Sequence, residues 1–249
     1  MKTGIQVSSL KPLLTTTGEV HEAFRKMADL GSGPVQLQWI DPAVPLEEIA
    51  GALKENRMVS VSAQDFYQLV KDNFEYYVNL NKATGGVWLC VSRIPEDRKS
   101  PEGLDLFIGE LREMQKKLDP YGQKLCFHPV TGDFQAVPGM NAVEYLFDRM
   151  TELEICLDLY HLDRNCADMP GFIRRYVGRI PMVHFKDSRD GKLVPAGQGQ
   201  VNWTGVAEAC LEAGVEYGFV EQETWDRNPY DCLGEALAWL RQEIEAVIK

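Results

Sequence analysis

Four short segments of the chain carry several groups that can move protons or bind metal ions, and each follows directly on an apolar run. The segments are KLCFHPVTGDF (His128, Asp133), ICLDLYHLD (Asp158, His161), MVHFKDS (His184, Lys186, Asp187) and FVEQETW (Glu221, Gln222, Glu223). A strand interior disfavours such groups, because burying even a neutral polar group without a partner costs about 2–7 kcal/mol. Imidazoles and carboxylates without thiolates suit a divalent ion such as Mn²⁺, Mg²⁺, Co²⁺, Fe²⁺ or Zn²⁺. The pattern therefore predicts strands that end at the edge of a shared polar site.

A structural role is the alternative for each of these residues. Asp158 could cap the following turn, Glu221 could be a charge on the rim, and Lys186 could pair with Asp187 there. His128 and His184 could be structural histidines with satisfied ring nitrogens. The clustering favours a site, because three of the four histidines of the chain follow three successive apolar runs.

The elements that must position these groups recur along the whole chain. Eight short apolar runs read as buried parallel strands. They cover residues 5–8, 35–38, 58–62, 86–91, 124–128, 154–158, 180–185 and 218–221. Most of the intervening segments have helical periodicity, as in VHEAFRKMADLG and GLDLFIGELREMQKKLD.

Strand–helix alternation repeated eight times in 249 residues predicts an α/β fold, a single (β/α)8 TIM barrel that spans residues 1–249. An open doubly wound sheet would usually carry a glycine-rich first turn, and the segment after the first strand, SLKPLLTTTG, has none. In such a barrel the active site lies at the C-terminal ends of the strands. The polar segments stand at the ends of strands 5 to 8, so we expect them to converge.

The composition excludes several classes of partner. A net charge of −11 disfavours nucleic acid, whose binding depends on clusters of Lys and Arg. No apolar run has the length of a membrane span, and the first residues lack the pattern of a signal peptide. The six cysteines form no C-x-x-C pair, and Cys90, Cys126 and Cys156 lie inside strand-like runs. We therefore predict buried thiols in a cytoplasmic protein rather than a disulfide framework.

Three motifs resemble the xylose isomerase-like TIM-barrel superfamily, in its sugar phosphate isomerase/epimerase branch. They are CLDLYH, VHFKD followed by PAGQGQVNW, and FVEQE, and weaker likeness extends over nearly the whole chain. The resemblance implies that Asp158, His184 and Glu221 bind one divalent metal ion. It also implies that His161 contacts the substrate and that the loop of residues 197–203 lines the pocket.

Strand 5 departs from the pattern of that family. Epimerase members carry a Glu there that is both the fourth metal ligand and one half of a two-carboxylate acid/base pair, and His128 occupies this place. HPVTGDF resembles a subgroup pattern, His-Asn-His-x-x-Glu-Phe, with Pro129, Val130 and Asp133 as the substituted positions. His128 can still bind a metal or act as a base, since the ordinary pKa of histidine is about 6.5.

The resulting hypothesis is a metal-dependent isomerase or epimerase of a small keto-sugar. Glu221 or His128 would take the α-proton, Lys186 would hold the developing alkoxide, and the metal ion would stabilise the enediolate. Substrate contacts would come from His161, Lys186, Gln222 and Trp39, of which Trp39 could stack on a sugar ring or merely pack in the core.

Three other functions remain open at this stage. Loss of a β-hydroxyl from the same site would give a dehydratase of the inosose type, and an incomplete strand 5 would give a non-catalytic sugar-binding barrel. A nuclease of the endonuclease IV type would need more histidines and a basic face. Barrels of this kind often pair, although no feature of the sequence demands a homodimer.

Overall fold

The computed structural model describes residues 1–249 and contains a closed barrel of eight parallel strands. These strands, β1 to β8, are Lys2–Gln6, Pro34–Leu37, Val59–Phe66, Trp88–Ser92, Lys124–His128, Glu154–Asp158, Met182–Phe185 and Tyr217–Val220. Each predicted strand corresponds to one of them. The (β/α)8 prediction is confirmed.

Closure of the barrel follows from the pairing of the first and last strands. Lys2 of β1 lies opposite Tyr217 of β8, and Ile5 of β1 lies opposite Val35 of β2. The spatial order is therefore the order along the chain. All eight C-terminal strand ends consequently open on the same face, which is where the polar segments stand.

Ten α-helices accompany the strands. They are α1 to α10: Thr17–Asp29, Leu46–Glu55, Tyr67–Asp72, Phe74–Thr84, Pro101–Leu118, Ala142–Arg149, Leu159–Asp163, Met169–Arg175, Val206–Glu212 and Pro229–Ile248. Local signals define their ends: Thr16 and Glu19 form a capping box at α1, and Pro229 stands at the start of α10. No helix is both long enough and apolar enough to cross a membrane.

Two antiparallel hairpins extend from the loops at the C-terminal face. One joins Ala136–Val137 to Met140–Asn141 in the segment after β5, and the other joins Asp187–Arg189 to Lys192–Val194 in the segment after β7. The helical periodicity of NWTGVAEACLEAG predicts a helix from about Asn202, but α9 begins only at Val206. The intervening residues belong to the loop that follows the second hairpin.

The interior of the barrel has an apolar layer toward its N-terminal end. Cys90, Cys126 and Cys156 are fully buried there, as the sequence predicts. Successive side chains of a strand point to opposite faces, so the residue two positions later also points inward, one layer closer to the C-terminal face. This alternation determines which side chains form the floor of the mouth.

Candidate metal centre

The inward-facing positions at the ends of β5 to β8 carry the predicted metal ligands. Each stands two residues after a member of the apolar layer: His128 after Cys126, Asp158 after Cys156, His184 after Met182 and Glu221 after Phe219. We call these four residues the cup. None is more than 5% exposed, and His184 is fully buried.

The four side chains approach one another closely. His128 Nε2 lies 3.1 Å from His184 Nδ1 and 3.8 Å from Asp158 Oδ2, and Glu221 Oε2 lies 3.2 Å from His184 Nδ1. Atoms that share one ion at 2.0–2.2 Å are separated by about 3–3.6 Å, so the separations are close to those of a common ligand set. His128, Asp158 and His184 each place a ligand atom within 4.8 Å of the others, and Glu221 stands beside this group of three.

The two oxygens of Asp158 have different surroundings. Oδ1 caps α7, because it accepts hydrogen bonds from the backbone N–H groups of Tyr160 at 2.9 Å and His161 at 3.3 Å. Oδ2 is buried and accepts none, although it faces the imidazoles of His128 and His161. A buried carboxylate oxygen without a donor is costly unless a cation balances it. The capping role and a ligand role are therefore compatible, and the donor set fits a divalent ion.

The orientation of His184 is fixed from inside the barrel. Its Nε2 forms a short hydrogen bond with Gln36 Oε1 and lies 3.3 Å from Cys156 Sγ. Gln36 Oε1 is an acceptor, since Gln6 Nε2 also donates to it at 2.9 Å. His184 therefore carries its proton on Nε2 when neutral, which leaves the lone pair of Nδ1 directed at the cup. Such an outer hydrogen bond is a common feature of metal-binding histidines.

A row of buried glutamines lies across the barrel from the cup. Gln6 Nε2 donates to Gln38 Oε1 at 3.2 Å as well as to Gln36, and Gln64 Nε2 donates to Gln38 Oε1 at 3.3 Å. These four residues come from β1 to β3 and the residue after β2. Their amides form a neutral wall, which we call the amide wall.

Lys186 is the buried cation of the site. Burial alone would lower its pKa, but the carboxylates of Glu221, Asp158 and Glu223 outweigh burial and raise the pKa above its ordinary value. Burial likewise would raise the pKa of Glu221, but Lys186 and then His184 hold it well below its ordinary value. Lys186 is therefore an ammonium and Glu221 a carboxylate at neutral pH.

The two remaining imidazoles of the mouth are neutral. Burial, with a contribution from His184, lowers the pKa of His128 to about 3. His161 also has a lowered pKa because of burial, and its Nδ1 lies 2.8 Å from Thr131 Oγ1. Its Nε2 lies 3.6 Å from Asp158 Oδ2, and the side chain is 18% exposed. His161 thus connects the cup with the opening.

Glu223 is a residue of the site to which sequence reasoning assigned no role. It forms an ion pair with Lys186, and its Oε2 is buried without a hydrogen-bond partner. Burial and the neighbouring Glu221 raise its pKa to about 7. The signal in the sequence was the alternation in FVEQE, which places Glu221 and Glu223 on the same side. The alternative pairing of Lys186 with Asp187 is not observed.

Asp187 instead organises the glycine-rich loop after β7. Its carboxylate accepts backbone N–H groups from Gly197 at 3.1 Å, Gly199 at 3.0 Å and Val201 at 3.1 Å, and the Trp203 indole N–H at 3.0 Å. A side chain at Gly199 would lie 2.0 Å from Asp187 Oδ1, so only glycine fits. These N–H groups already bind a carboxylate, which argues against a phosphate cradle here.

Three other residues singled out in the sequence lie away from the cup. Asp133 accepts the backbone N–H groups of Ile94 at 3.0 Å and Val130 at 2.9 Å, so it joins two loops. Gln222 donates to Thr224 O at 3.0 Å and lies beside the second hairpin. Trp39 lines a separate cavity beyond the amide wall. Substrate contacts by Gln222 and Trp39 therefore stay predictions.

Comparison with solved structures finds the same architecture in several other barrels. A sugar phosphate isomerase/epimerase from Parabacteroides distasonis has a TM-score of 0.80 at 15% identity, with 97% of this chain and 98% of that chain covered. For a 3-keto-D-glucoside 4-epimerase from E. coli the TM-score is 0.70 at 17% identity, with 97% and 99% covered. For an L-ribulose 3-epimerase it is 0.77 at 14% identity, with 100% and 96% covered. At these identities the likeness establishes the fold alone.

Sequence comparison gives the family. No curated protein sequence matches the chain. The family model described as xylose isomerase-like TIM barrel matches residues 24–243, which include all eight strands except β1. The chain therefore belongs to the xylose isomerase-like TIM-barrel family.

Proposed function

We propose that the protein is a divalent-metal-dependent isomerase or epimerase of a small keto-sugar. The observation that carries this proposal is the buried Asp158 Oδ2, which has no hydrogen-bond donor and faces the imidazoles of the cup. Support also comes from the fold, since barrels described as sugar epimerases share it at TM-scores of 0.70 and 0.77.

The residues that would hold the ion are Asp158, His184, His128 and Glu221. His128 can present a lone pair, since its pKa is lowered. Burial would lower the pKa of His184, but Cys156 and Glu221 outweigh burial and raise it, so its Nδ1 would lose a proton when an ion binds, while Gln36 holds the proton on Nε2. When bound, a divalent ion would supply Lewis-acid stabilisation of the negative charge that develops on a substrate oxygen as the α-proton leaves.

Proton transfer is assigned to the chain's own groups beside that ion. Glu221 is ionised, and Ser8 Oγ donates to its Oε1 at 2.8 Å, so the carboxylate is held in one orientation to accept the α-proton. His128 is the second candidate acceptor, because it is neutral. Lys186 is charged and buried, so its ammonium can donate a hydrogen bond to the oxygen on which charge develops.

Access to the reacting centre runs past His161 and Glu223. Their side chains are 18% and 23% exposed, whereas Asp158 and His184 are almost completely enclosed. A substrate that enters here meets the Lys186–Glu223 pair first. Water is largely excluded beyond that point, which strengthens each electrostatic contact.

The position of reprotonation decides the product. Return of the proton to the neighbouring carbon gives an isomerase, and return to the opposite face gives an epimerase. Expulsion of a β-hydroxyl, with Lys186 as the hydrogen-bond donor, gives the inosose-type dehydratase. We favour isomerase or epimerase chemistry and a cytoplasmic location, the latter supported by six free cysteines.

The test combines metal content with proton exchange. Protein stripped with a chelator is reloaded with Mn²⁺, Co²⁺ or Zn²⁺, and bound metal is measured by mass spectrometry. The reloaded protein is then incubated with keto-sugars and inososes in D₂O, and deuterium at the α-carbon is followed by NMR. We expect about one ion per chain and metal-dependent exchange for at least one substrate.

A matched pair of variants assigns the result to the cup. Asp158→Asn should reduce affinity for Mn²⁺ by more than about 100-fold, since it removes the ionised ligand. Asp65→Asn changes another buried aspartate, on β3, whose oxygens accept hydrogen bonds from Trp39 Nε1, Phe66 N and the Tyr77 hydroxyl. This variant should bind metal like the wild type. Wild-type protein without metal affinity, or with metal but without exchange on any substrate, would contradict the proposal.

A further inference from the structure

A second cavity opens beside the mouth of the barrel, on the side of β1 to β3. Its volume is about 470 Å³, which is within the range of small-molecule sites. We call it the Trp39 pocket. The lining residues that carry the argument are Lys11, Gln38, Trp39, Asp41, Asp65 and Tyr76.

Several polar groups of the Trp39 pocket have unused hydrogen-bonding capacity. Gln38 accepts two hydrogen bonds with Oε1 but donates none with Nε2. The Tyr76 hydroxyl makes no hydrogen bond, and Lys11 forms no ion pair. These groups offer two kinds of donor and a hydroxyl acceptor to a ligand.

Trp39 provides an aromatic surface among these groups. Its indole N–H donates to Asp65 Oδ1 at 3.3 Å, and its ring packs against that of Phe66 in an edge-to-face arrangement with centroids 5.9 Å apart. The backbone of Trp39 has a φ of 58°, which is rare for a bulky residue. Such strained residues are concentrated at ligand sites. A fixed aromatic ring surrounded by amide, carboxylate and hydroxyl groups suits the apolar face and hydroxyls of a sugar.

The charge of the Trp39 pocket argues against an anionic ligand. Asp41 and Asp65 outnumber Lys11, and the ammonium of Lys11 lies 4.4 Å above the Trp39 ring. The backbone N–H groups of the glycine-rich loop after β7, which could otherwise bind a phosphate, already bind Asp187. A neutral ligand therefore fits both regions.

The Trp39 pocket lies at a short distance from the cup. Gln38 directly follows β2, and only β1 separates β2 from β8, which carries Glu221 at its end. Neighbouring strands are about 4.8 Å apart, so the lateral separation is about 10 Å. That separation is within the length of a disaccharide.

We infer that the Trp39 pocket binds the second, non-reacting sugar unit of a neutral, unphosphorylated keto-glycoside whose keto-sugar unit occupies the cup. This inference rests on the proposed function for the identity of the reacting unit. The face of Trp39 opposite the Lys11 ammonium stacks on the second ring, while Gln38 and Tyr76 bind its hydroxyls.

The test compares ligands that differ only in the second unit. D-fructose is the single-ring probe, and maltulose and isomaltulose are ketoses that carry a glucosyl unit. Binding to the Mn²⁺-loaded protein is measured by calorimetry. We expect at least one disaccharide to bind about tenfold more tightly than D-fructose, from one stacking contact and one or two hydrogen bonds.

Variants locate the preference in the Trp39 pocket. Trp39→Gly removes the ring and suits the positive φ. Tyr76→Phe removes only a hydroxyl and serves as the test if Trp39→Gly folds poorly. Each variant should move the ratio of disaccharide affinity to D-fructose affinity toward one. Tyr145→Phe, whose hydroxyl binds Asp105 away from the pocket, should keep the wild-type ratio.

Two results would overturn the inference: a wild-type ratio near one, or a high ratio that neither pocket variant lowers.

The Glu221→Gln variant separates this question from catalysis. If the disaccharide preference persists there and in the wild type while no substrate exchanges its α-proton, the Trp39 pocket binds a glycosyl unit and the proposed reaction is wrong. If exchange occurs with D-fructose but disaccharides gain no affinity, the reaction stands and the pocket inference falls.

Discussion

The two sides of the barrel mouth are built from different chemistry. The side formed by β5 to β8 carries the two imidazoles and two carboxylates of the cup and the Lys186–Glu223 pair, all buried except Glu223, whose side chain is 23% exposed. The side formed by β1 to β3 carries the amide wall of Gln6, Gln36, Gln38 and Gln64, together with Ser8 and Trp39. Charge is thus concentrated on one side, and neutral dipoles line the other.

The difference shows how a barrel can bury a reactive site. Each charge of the cup and of the Lys186–Glu223 pair has a partner of opposite charge or a place in the ligand set, because an isolated buried charge is not tolerated. The amide wall contributes no charge, but it directs the charged side through the hydrogen bond from His184 to Gln36. The charged side therefore supplies the strong electrostatic interactions of the site, and the amide wall fixes the orientation of His184.

The largest expected effect comes from breaking the charged side at Lys186. Lys186→Met should lower the free energy of unfolding by about 3–5 kcal/mol, because Glu223 and Glu221 lose their shared buried cation. Urea unfolding of chelator-treated protein at pH 7 measures it. Lys11→Met is the control on the other side, since Lys11 forms no ion pair, and it should change stability by less than about 0.5 kcal/mol.

A double variant sharpens this result. Lys186→Met combined with Glu223→Gln should recover part of the lost stability, because one uncompensated carboxylate is removed as well. A double variant that is less stable than Lys186→Met would mean that the pair is not the source of the effect. Equal losses of unfolding free energy for Lys186→Met and Lys11→Met would contradict the proposed difference between the two sides.

A smaller effect is expected for Asp133, which lies on the β5 side but outside the cup. Burial raises its pKa to about 6, above the value of about 3.9 in an unfolded chain. The folded state therefore binds this proton more tightly, so the contribution of Asp133 to stability is greatest below pH 4. It is lost as the pH rises toward 6, by about 2–3 kcal/mol in total.

The measurement is the difference in unfolding free energy between the wild type and Asp133→Asn from pH 4 to 7, with metal removed. The unfolding free energy of the wild type should fall relative to that of the variant as the pH rises from 4 to 7, because the variant cannot titrate at this position. Parallel profiles would show that the two backbone N–H donors of Asp133 compensate its burial completely.

Much of the charged side could be predicted from the sequence. Apolar runs with two-residue alternation locate the strands, and a polar residue at an inward position near a strand end has few structural explanations. His128, Asp158, His184 and Glu221 satisfied both conditions, and the structure brings them together.

The amide wall was not predictable in the same way. Gln36 and Gln38 stand in VQLQ, which reads as an ordinary strand, and an uncharged amide gives no sign of whether it faces solvent or a histidine on another strand. The partners of Asp187 and Lys186 also depended on long-range geometry. The local pattern left open a pairing of these two neighbours, whereas the fold brought the glycine-rich loop to Asp187 and Glu223 to Lys186.

The finest test of the comparison is the hydrogen bond that joins the two sides. Gln36→Met keeps the approximate volume but removes the acceptor for the Nε2 proton of His184, so the imidazole loses its fixed tautomer and orientation. Affinity for Mn²⁺ should fall by about 10–100-fold, as it does when outer-sphere partners of metal-binding histidines are removed. Calorimetric titration of metal-free protein measures it.

Gln64→Met is the matched control within the amide wall. Gln64 donates to Gln38 and does not touch His184, so the same substitution should change Mn²⁺ affinity by less than about threefold. If both variants bind Mn²⁺ as the wild type does, the amide wall plays no part in orienting the cup. If both lose affinity equally, the wall acts as one connected network, and its influence on His184 extends beyond the single contact with Gln36.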